Sequence, residues 1–439
     1  MADGVTRSDG FSTRFPYLVG VDVGGTFTDL VVVDRSEDSW TRLKVPSTPD
    51  APHEAVLEAL ARSEVPQSEI DTVIHGTTVG TNAVLERRVA RTALLTTAGF
   101  EDILAMGRRT RATLFGLSGI PNPLVPSELT YGVVERMASD GTVVTGVDEA
   151  SLANVMATLS DQGVEAIAIS FLHAHANDAH ERAVGALAPR AAHVALSSEV
   201  TPTLGEFERT STTAINASLM PIMSSYVAAI GDGLAGTRSG LRVVNSSGGF
   251  MKASHAEHLP VRTLLSGPAA GVSGATALGR YLDLTQLVTF DMGGTSSDLA
   301  LSSDGRVDVG ENLELDFRIV VRQPMLEIRT VATGGASIAS VSSAGLVQVG
   351  PESASRAGGP ACFGKGGRAA TLTDADCVLG FLDYLPTLGR RLDRDAAVRV
   401  VSEYVARPLG LSVTRAATAI REQATQDIAR KIRQMTVER

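Results

Sequence analysis

Cysteine is nearly missing from this sequence: among 439 residues only Cys362 and Cys377 occur. A disulfide scaffold is excluded at this size, and a reducing, cytoplasmic setting is expected. Long hydrophobic runs are missing too. Stretches such as residues 164–172 (VEAIAISFL) have the size of a strand and fall short of the ~20 residues that cross a bilayer. No membrane partner is expected. The start, MADGVTRSDGFSTRF, has no apolar h-region, so residues 1–16 read as a disordered, mobile tail and not as a secretory signal. No stripe of lysine and arginine is visible, and 49 acidic residues against 39 basic ones give a formal net charge of −10. Nucleic acid is not expected as a partner.

What is present is an alternation of strand and helix signals, which predicts an α/β fold of two or three domains. Strands are expected at residues 17–23, with 29–34 and 41–45 as hairpin partners, and at 72–75, 91–96 and 164–171. Helices are expected at 52–63, with Pro52 in the first turn, and at 152–162. A second block begins near Thr201. It opens with a helical stretch over 207–230, interrupted by Pro221, then a strand at 242–245, a small-residue helix over 269–281 and a strand at 287–292. Residues 303–375 read as an insertion of short strands, and 393–438 as two helices.

One pattern is written twice. Residues 21–34 read VDVGGTFTDLVVVD and residues 290–301 read FDMGGTSSDLAL, so Asp-x-Gly-Gly-Thr-x-(Thr/Ser)-Asp-Leu recurs 269 positions apart, each time after an apolar strand. One copy alone would read as a tight hairpin. Two copies agreeing at six positions point to a duplicated fold in which each half offers one loop to a shared ligand. Adjacent glycines permit φ > 0 and lack Cβ atoms, so backbone N–H groups can close around an anion. The leading aspartates, Asp22 and Asp291, suit Mg²⁺ held through water.

Two such loops on related halves resemble the actin, Hsp70 and sugar-kinase superfamily. The closer resemblance is to the hydantoinase A/oxoprolinase family. It rests on VGVDVGGTFTD (19–29), HGTTVGTNAVLERR (75–88), ALLTTAGFEDIL (93–104), FERTSTTAINASLMPIM (207–223), LLSGPAAGVSGA (264–275), FDMGGTSSDLAL (290–301), GGPACFGKGG (358–367) and TLTDADCVLG (371–380). The resemblance implies two ribonuclease-H-like halves with a nucleotide cleft between them, the second half carrying the insertion. It implies an N-terminal domain over 17–200 and a hydantoinase A-like domain over 201–439. The implied role is the ATP-binding subunit of an ATP-dependent cyclic amide hydrolase. Gly24, Gly25, Thr26, Gly293, Gly294 and Thr295 would take the phosphates, with Gly267 along the nucleotide, and Asp22 and Asp291 would take Mg²⁺ and the reacting water. Asp29 and Asp298 would orient the loops. A hydantoinase B-like subunit is implied for the hydrolytic step. The alternatives are an ATP-dependent ketone carboxylase subunit and a non-catalytic nucleotide switch. Glu327 stands where the family has an aspartate, and VATGGASIA (331–339) is less glycine-rich than the family form. Family chains also continue past the position of Arg439 into a glycine-rich segment resembling an adenosine-binding loop. A separate polypeptide supplying that segment, a fragment and a degenerate paralogue are the alternatives.

Further residues carry two readings each. Thr77 and Thr78 stand between a strand end and a helix expected from about Thr81. They face the γ-phosphate or the acceptor substrate, or else cap the helix. His75 is an acid/base group near pH 7 or a hydrogen-bonded structural histidine. HAHANDAH (173–180) has metal-ligand types in a spacing that favours a structural loop, with Asn177-Asp178 capping a helix from Ala179. Cys362 is read as a small buried residue in preference to a nucleophile. Asp374 and Asp376 face the cleft, or Asp374 caps a helix.

Overall fold

A computed structural model describes residues 15–24, 27–48, 51–109, 123–238, 240–316, 319–385 and 389–437. The chain divides into two compact units, Met1–Ala270 with Val309–Leu326, and Gly271–Asp308 with Glu327–Arg439.

The first unit begins with an antiparallel meander of β1 (Tyr17–Val23), β2 (Phe27–Asp34) and β3 (Ser39–Pro46). Alternation places Val19, Val21, Val23, Leu30 and Val32 inside, as a half-buried sheet requires. Residues 1–14 of the expected tail lie outside the described residues. Phe15 and Pro16 are tied down by Arg35, whose guanidinium donates to both carbonyls at 2.7 and 3.3 Å. After α1 (Pro52–Arg62), with proline in its first turn, β4 (Ile70–Thr77) pairs parallel to the free side of β1 and sets Asp22 opposite Gly76. Next come α2 (Val79–Leu85), β5 (Thr92–Thr97), β6 (Thr130–Val133), β7 (Ala166–Ser170) and β8 (His193–Leu196). These four strands form a parallel sheet in the order β8-β7-β5-β6. Every residue of β5 and β7 is buried, which accounts for their unbroken apolar run.

The longest element, α3 (Glu206–Gly233), corrects an expectation, because it runs through Pro221 without a break. A proline inside a helix forfeits one backbone bond and crowds the preceding turn. Tertiary packing on both sides offsets this. Ala214, Ile215, Ala217, Leu219 and Met220 join the core under β5 and β7, whereas Met223, Tyr226, Val227 and Ile230 join the core under β1 and β4. Burying each large apolar side chain contributes about 1.5–3 kcal/mol. By length and mean hydropathy α3 could cross a membrane, but 61% of its most apolar window is buried in protein, as in a core helix. Then β9 (Leu241–Val244) and β10 (Phe250–Lys252) extend the first sheet to the order β10-β9-β4-β1-β2-β3.

Helix α4 (Ser266–Tyr281) leads into the second unit, where β11 (Gln286–Met292) and β12 (Ser297–Ser303) repeat the opening hairpin. The registers coincide: Asp22 faces Asp29, and Asp291 faces Asp298. On the far side of β12 lies β13 (Ile328–Val331), followed by the hairpin β14 (Ser337–Val341) and β15 (Val347–Ser353). Three helices, α5 (Leu372–Leu379), α6 (Arg394–Val401) and α7 (Val413–Val437), close a separate apolar core with β14 and β15. The stretch expected as one insertion is shared between the units. The hairpin Val309–Asp316/Ile319–Leu326 belongs to the first, where Ser211 Oγ donates to Val320 O at 2.6 Å and Arg322 N donates to Thr212 Oγ1 at 2.8 Å.

Candidate functional site

The two repeated loops close in the same way. Gly24 N donates to Phe27 O at 3.0 Å, and Gly293 N donates to Ser296 O at 2.9 Å. Gly25 and Thr26 lie outside the described residues. Neither Gly24, Gly293 nor Gly294 adopts positive φ, so the expected left-handed backbone is not the reason for these glycines. At Gly24 a Cβ would stand 3.1 Å from Phe27 O. The close turn itself demands the missing side chain.

Around the first loop the sheet register gathers several sequence-predicted residues. Asp22 is exposed at the end of β1. A Cβ on Gly76 would stand 2.9 Å from Asp22 Oδ1, and one on Gly267 would stand 3.0 Å from the same oxygen. The carboxylate therefore occupies a notch that exists because both neighbours are glycines. Ser266, which the sequence did not single out, fastens this notch: its hydroxyl accepts from Thr77 N at 3.0 Å and donates to Thr77 O at 2.9 Å. Thr77 is fully buried, and its Oγ1 accepts from Val79 N. Thr78 precedes α2, which starts at Val79 rather than near Thr81, and its hydroxyl donates to Val23 O at 3.1 Å. Thr81 Oγ1 accepts from Leu265 N at 3.1 Å. These hydroxyls strap the strand ends and the SGP turn into one frame beside Asp22.

For His75 the geometry favours the structural alternative over the acid/base one. The ring is fully buried, with Nδ1 3.2 Å from Val21 O and Nε2 2.7 Å from the Tyr226 hydroxyl. A carbonyl only accepts, so Nδ1 carries the proton and Nε2 accepts from Tyr226. Burial lowers its pKa from 6.5 to about 4, against a smaller opposing effect of the Val21 carbonyl. It is neutral at pH 7 and has no exposed nitrogen. Burial also pushes the Tyr226 phenol up, with a Thr77 hydrogen bond and the Asp22 charge as lesser causes of opposite sign.

The second loop rests on a brace formed by residues 333–337. Gly335 N donates to Gly293 O at 3.0 Å, Ala336 N to Gly294 O at 2.6 Å, and Ser297 Oγ to Thr333 O at 2.6 Å. Gly334 lies so close that a Cβ there would sit 2.7 Å from Gly294 C and O and Ser296 N. Thr373, from α5, secures the brace through Gly335 O. Asp291, Gly293, Gly294 and Thr295 are exposed. Behind them the electrostatics of the two loops differ. Asp29 pairs with Lys44 at 2.6 Å, whereas Asp298 accepts from the Thr330 hydroxyl at 2.6 Å. Burial raises the pKa of Asp298, Thr330 lowers it, and the charge of Asp291 raises it further. Like charges on facing strand positions repel, and a cation would relieve them.

The remaining candidates settle into structural roles. Asp374 is buried and accepts from the amides of Cys362 at 2.8 Å and Thr371 at 3.1 Å, completing a capping box with Thr371. Asp376 is partly buried and paired with Arg421 at 3.3 Å. Cys362 is buried and its thiol pushed up, chiefly by burial, so it is no nucleophile. In HAHANDAH, Asn177 Oδ1 accepts from Ala179 N at 3.1 Å at the start of the helix Ala179–Ala186, and His180 pairs with the buried Glu135 at 2.7 Å. Among the described residues no three His, Cys, Asp or Glu side chains gather as a metal shell.

Residues 209–439 match the hydantoinase/oxoprolinase family, and residues 18–191 match the hydantoinase/oxoprolinase N-terminal region. Caprolactamase subunit alpha of Pseudomonas jessenii is 35% identical over 96% of this chain and 63% of its own length. The acetophenone carboxylase gamma subunit of Aromatoleum aromaticum is 32% identical over 94% of this chain and 60% of its own. The 5-oxoprolinase of Saccharomyces cerevisiae is 34% identical over 83% of this chain and 32% of its own. A crystal structure of ATP-dependent caprolactamase from Pseudomonas jessenii superposes with a TM-score of 0.81 at 33% identity, over 96% of this chain and 63% of that one. The chain thus spans less than two thirds of the length of these relatives.

Proposed function

Because the chain belongs to the hydantoinase/oxoprolinase family, we propose that it is the ATP-handling part of an ATP-dependent hydrolase of cyclic amides such as hydantoins, 5-oxoproline or lactams. The observation that carries this reading is the pair of Asp-x-Gly-Gly-Thr loops closed by the same Gly N–H turn in two α/β units. Gly24, Gly25, Thr26, Gly293, Gly294 and Thr295 take the phosphates of ATP, and Gly267 lets the chain approach them. The relatives named caprolactamase and 5-oxoprolinase support the amide class.

Amides resist water because nitrogen lone-pair donation makes the carbonyl carbon a poor electrophile. In the proposed reaction the carbonyl oxygen takes the γ-phosphoryl group as ADP leaves. Water then adds to the carbon and the C–N bond breaks, opening the ring to an amine-bearing acyl phosphate, which a second water hydrolyses to the ring-opened acid and phosphate. This chain positions the phosphates and neutralises charge, the main tasks in phosphoryl transfer. Asp22, in its glycine-walled notch, and Asp291, opposite Asp298, fit Mg²⁺ held through water, since that ion keeps most of its waters and needs few carboxylates. Mg²⁺ would supply countercharge to the phosphates. Thr77, Thr78 and His75 act as a frame for Asp22 and not as acids or bases. A hydantoinase B-like subunit performs the hydrolytic step, and two buried free cysteines suit a cytoplasmic setting.

The similarity to the acetophenone carboxylase subunit favours one second reading, a ketone carboxylase. Phosphate release by the chain co-expressed with its partner separates the two. A hydrolase consumes ATP with cyclic amides and without bicarbonate, and Asp22→Asn and Asp291→Asn each reduce turnover at least 100-fold while the fold persists. Ketone- and bicarbonate-dependent turnover with silence on cyclic amides overturns the first reading. Wild-type rates in either variant overturn the role of the loops.

A further inference from the structure

The two halves repeat each other beyond the loops themselves. In the first, β3 lines β2 with Thr28 opposite Val45, Asp29 opposite Lys44 and Leu30 opposite Leu43. In the second, β13 lines β12 with Ser297 opposite Val331, Asp298 opposite Thr330 and Leu299 opposite Arg329. A hydroxyl contact just past each third strand fixes the match: Thr28 Oγ1 lies 3.0 Å from Ser47 Oγ, and Ser297 Oγ donates to Thr333 O at 2.6 Å. The position facing the motif's second aspartate is therefore equivalent in both halves. It holds a lysine in one and a threonine in the other.

Lysine is scarce in this chain: Lys44, Lys252, Lys365 and Lys431 are the only lysines among its 39 basic residues. Lys44 shares a face with Asp29 and Asp22, because directly opposed residues on neighbouring strands point the same way. Its ammonium donates to both Asp29 carboxylate oxygens, at 2.6 and 2.8 Å. It also lies 5.4 Å from the ring centroid of Phe27, the residue whose carbonyl closes the first loop. The pair is open to water, with the two side chains 39% and 50% exposed. An exposed pair of this kind contributes little to stability, so the ammonium can leave Asp29 at small cost. Strands about 4.8 Å apart set its backbone about 10 Å from that of Asp22, and its flexible four-carbon stem spans about half of that gap.

We propose that Lys44 is a phosphate-binding residue of the first loop: when a polyphosphate arrives, its ammonium leaves Asp29 and donates to a nonbridging phosphate oxygen. This rests on the reading of the two loops as phosphate sites and adds a division of labour between them. The first loop supplies countercharge of its own, whereas the second presents Asp291, Asp298 and the Thr330 hydroxyl at the corresponding place. A compact ammonium on a mobile stem suits such an exchange. A guanidinium would hold the carboxylate through two parallel bonds and release it less readily. In the competing account Lys44 only keeps the loop in shape through Asp29.

Calorimetric titration of the full chain with inorganic triphosphate and Mg²⁺ tests this without ATP turnover. Lys44→Met should weaken binding about 10- to 100-fold, as expected for loss of a hydrogen bond between charged groups. Lys44→Arg keeps the charge and should lose about 2- to 5-fold. Asp29→Asn frees the ammonium and removes a repelling charge, so it should bind triphosphate more tightly than the wild type. A loss in Asp29→Asn as large as that in Lys44→Met overturns the proposal, because the pair would then act only by shaping the loop. A second readout needs no variant that might misfold. With four lysines in the chain, the carbon beside each ammonium is resolvable by NMR in selectively labelled protein, and the Lys44 signal should move when triphosphate is added. An unmoved signal in a chain that binds triphosphate overturns the proposal, as does undiminished binding by Lys44→Met, and in both cases the reading of the loops survives. A wild-type chain that does not bind triphosphate removes that reading and this proposal together.

Discussion

The depressed basicity of His75 converts into a measurable acid sensitivity of the first unit. In the folded chain its pKa lies near 4, against 6.5 for an ordinary histidine, so the unfolded chain binds the proton first as pH falls. Stability then rises with pH wherever the unfolded state holds more protons. The folded state is unaffected above pH 6.5 and progressively penalised between pH 6.5 and 4. Integrating the two titrations gives a loss of about 2 kcal/mol between pH 7 and pH 5, and about 3 kcal/mol once both states are protonated. The cause is local. A second proton on the ring would force Nε2 to donate to the Tyr226 oxygen, inside a site without water access. Urea unfolding at pH 7 and pH 5 measures this, followed by the fluorescence of Trp40, the single tryptophan, which lies on β3 of the same sheet. His75→Gln keeps a donor and an acceptor, lowers stability at pH 7, and removes the His75 share of the pH dependence. If the pH 7 to pH 5 loss is the same size in His75→Gln, the reasoning fails. The same variant separates the two roles of this residue: a structural histidine leaves the pH profile of turnover in place, and an acid/base group takes one limb of it away.

The glycine notch makes a second expectation. Gly76→Ala and Gly267→Ala each bring a Cβ to about 3 Å from Asp22 Oδ1, so the carboxylate must shift by roughly 0.5 Å; ATP turnover should fall about 10- to 100-fold, at a stability cost of about 1–3 kcal/mol. Gly271→Ala in α4, where nothing lies within 4 Å, is the control; it should gain up to about 1 kcal/mol and keep full turnover, and equal losses in all three variants would refute the notch. In the second unit, Gly334→Ala places a Cβ 2.7 Å from backbone atoms of Gly294 and Ser296, which cannot yield as a side chain would, so the melting temperature and ATP turnover should drop together. Unchanged values in Gly334→Ala would remove the brace from the account.

The duplicated loops were legible because their information is local. An apolar strand, a Gly-Gly turn and a second strand fit within about a dozen residues, and the structure returns them with one register and one closing bond. Near the site, legibility fails where meaning depends on distant partners. Nothing around His75 in the sequence indicates that Tyr226, 151 positions later, will bury it and take its second nitrogen. Ser266 looks like an ordinary start to a small-residue helix, yet it secures Thr77 across 189 positions. Pro221 was misread for the same reason. Local propensity counts one lost bond and one clash, while the helix is held by two separate cores on either side of that residue. The stretch 331–339 seemed only a weakened family motif, but Gly334 is needed because the second loop lies directly against it, and Gly335 because the Thr373 hydroxyl does. In each case the residue type signalled a constraint, such as a missing Cβ or a hydroxyl with two bonds to make. Its partner became visible only when the sheet order placed it there. The exposure of β11 belongs to the same class. Its sequence, QLVTFDM, reads like any buried strand, and only the comparison with β1, strand by strand, shows Val288, Phe290 and Met292 exposed where Val19, Val21 and Val23 are buried.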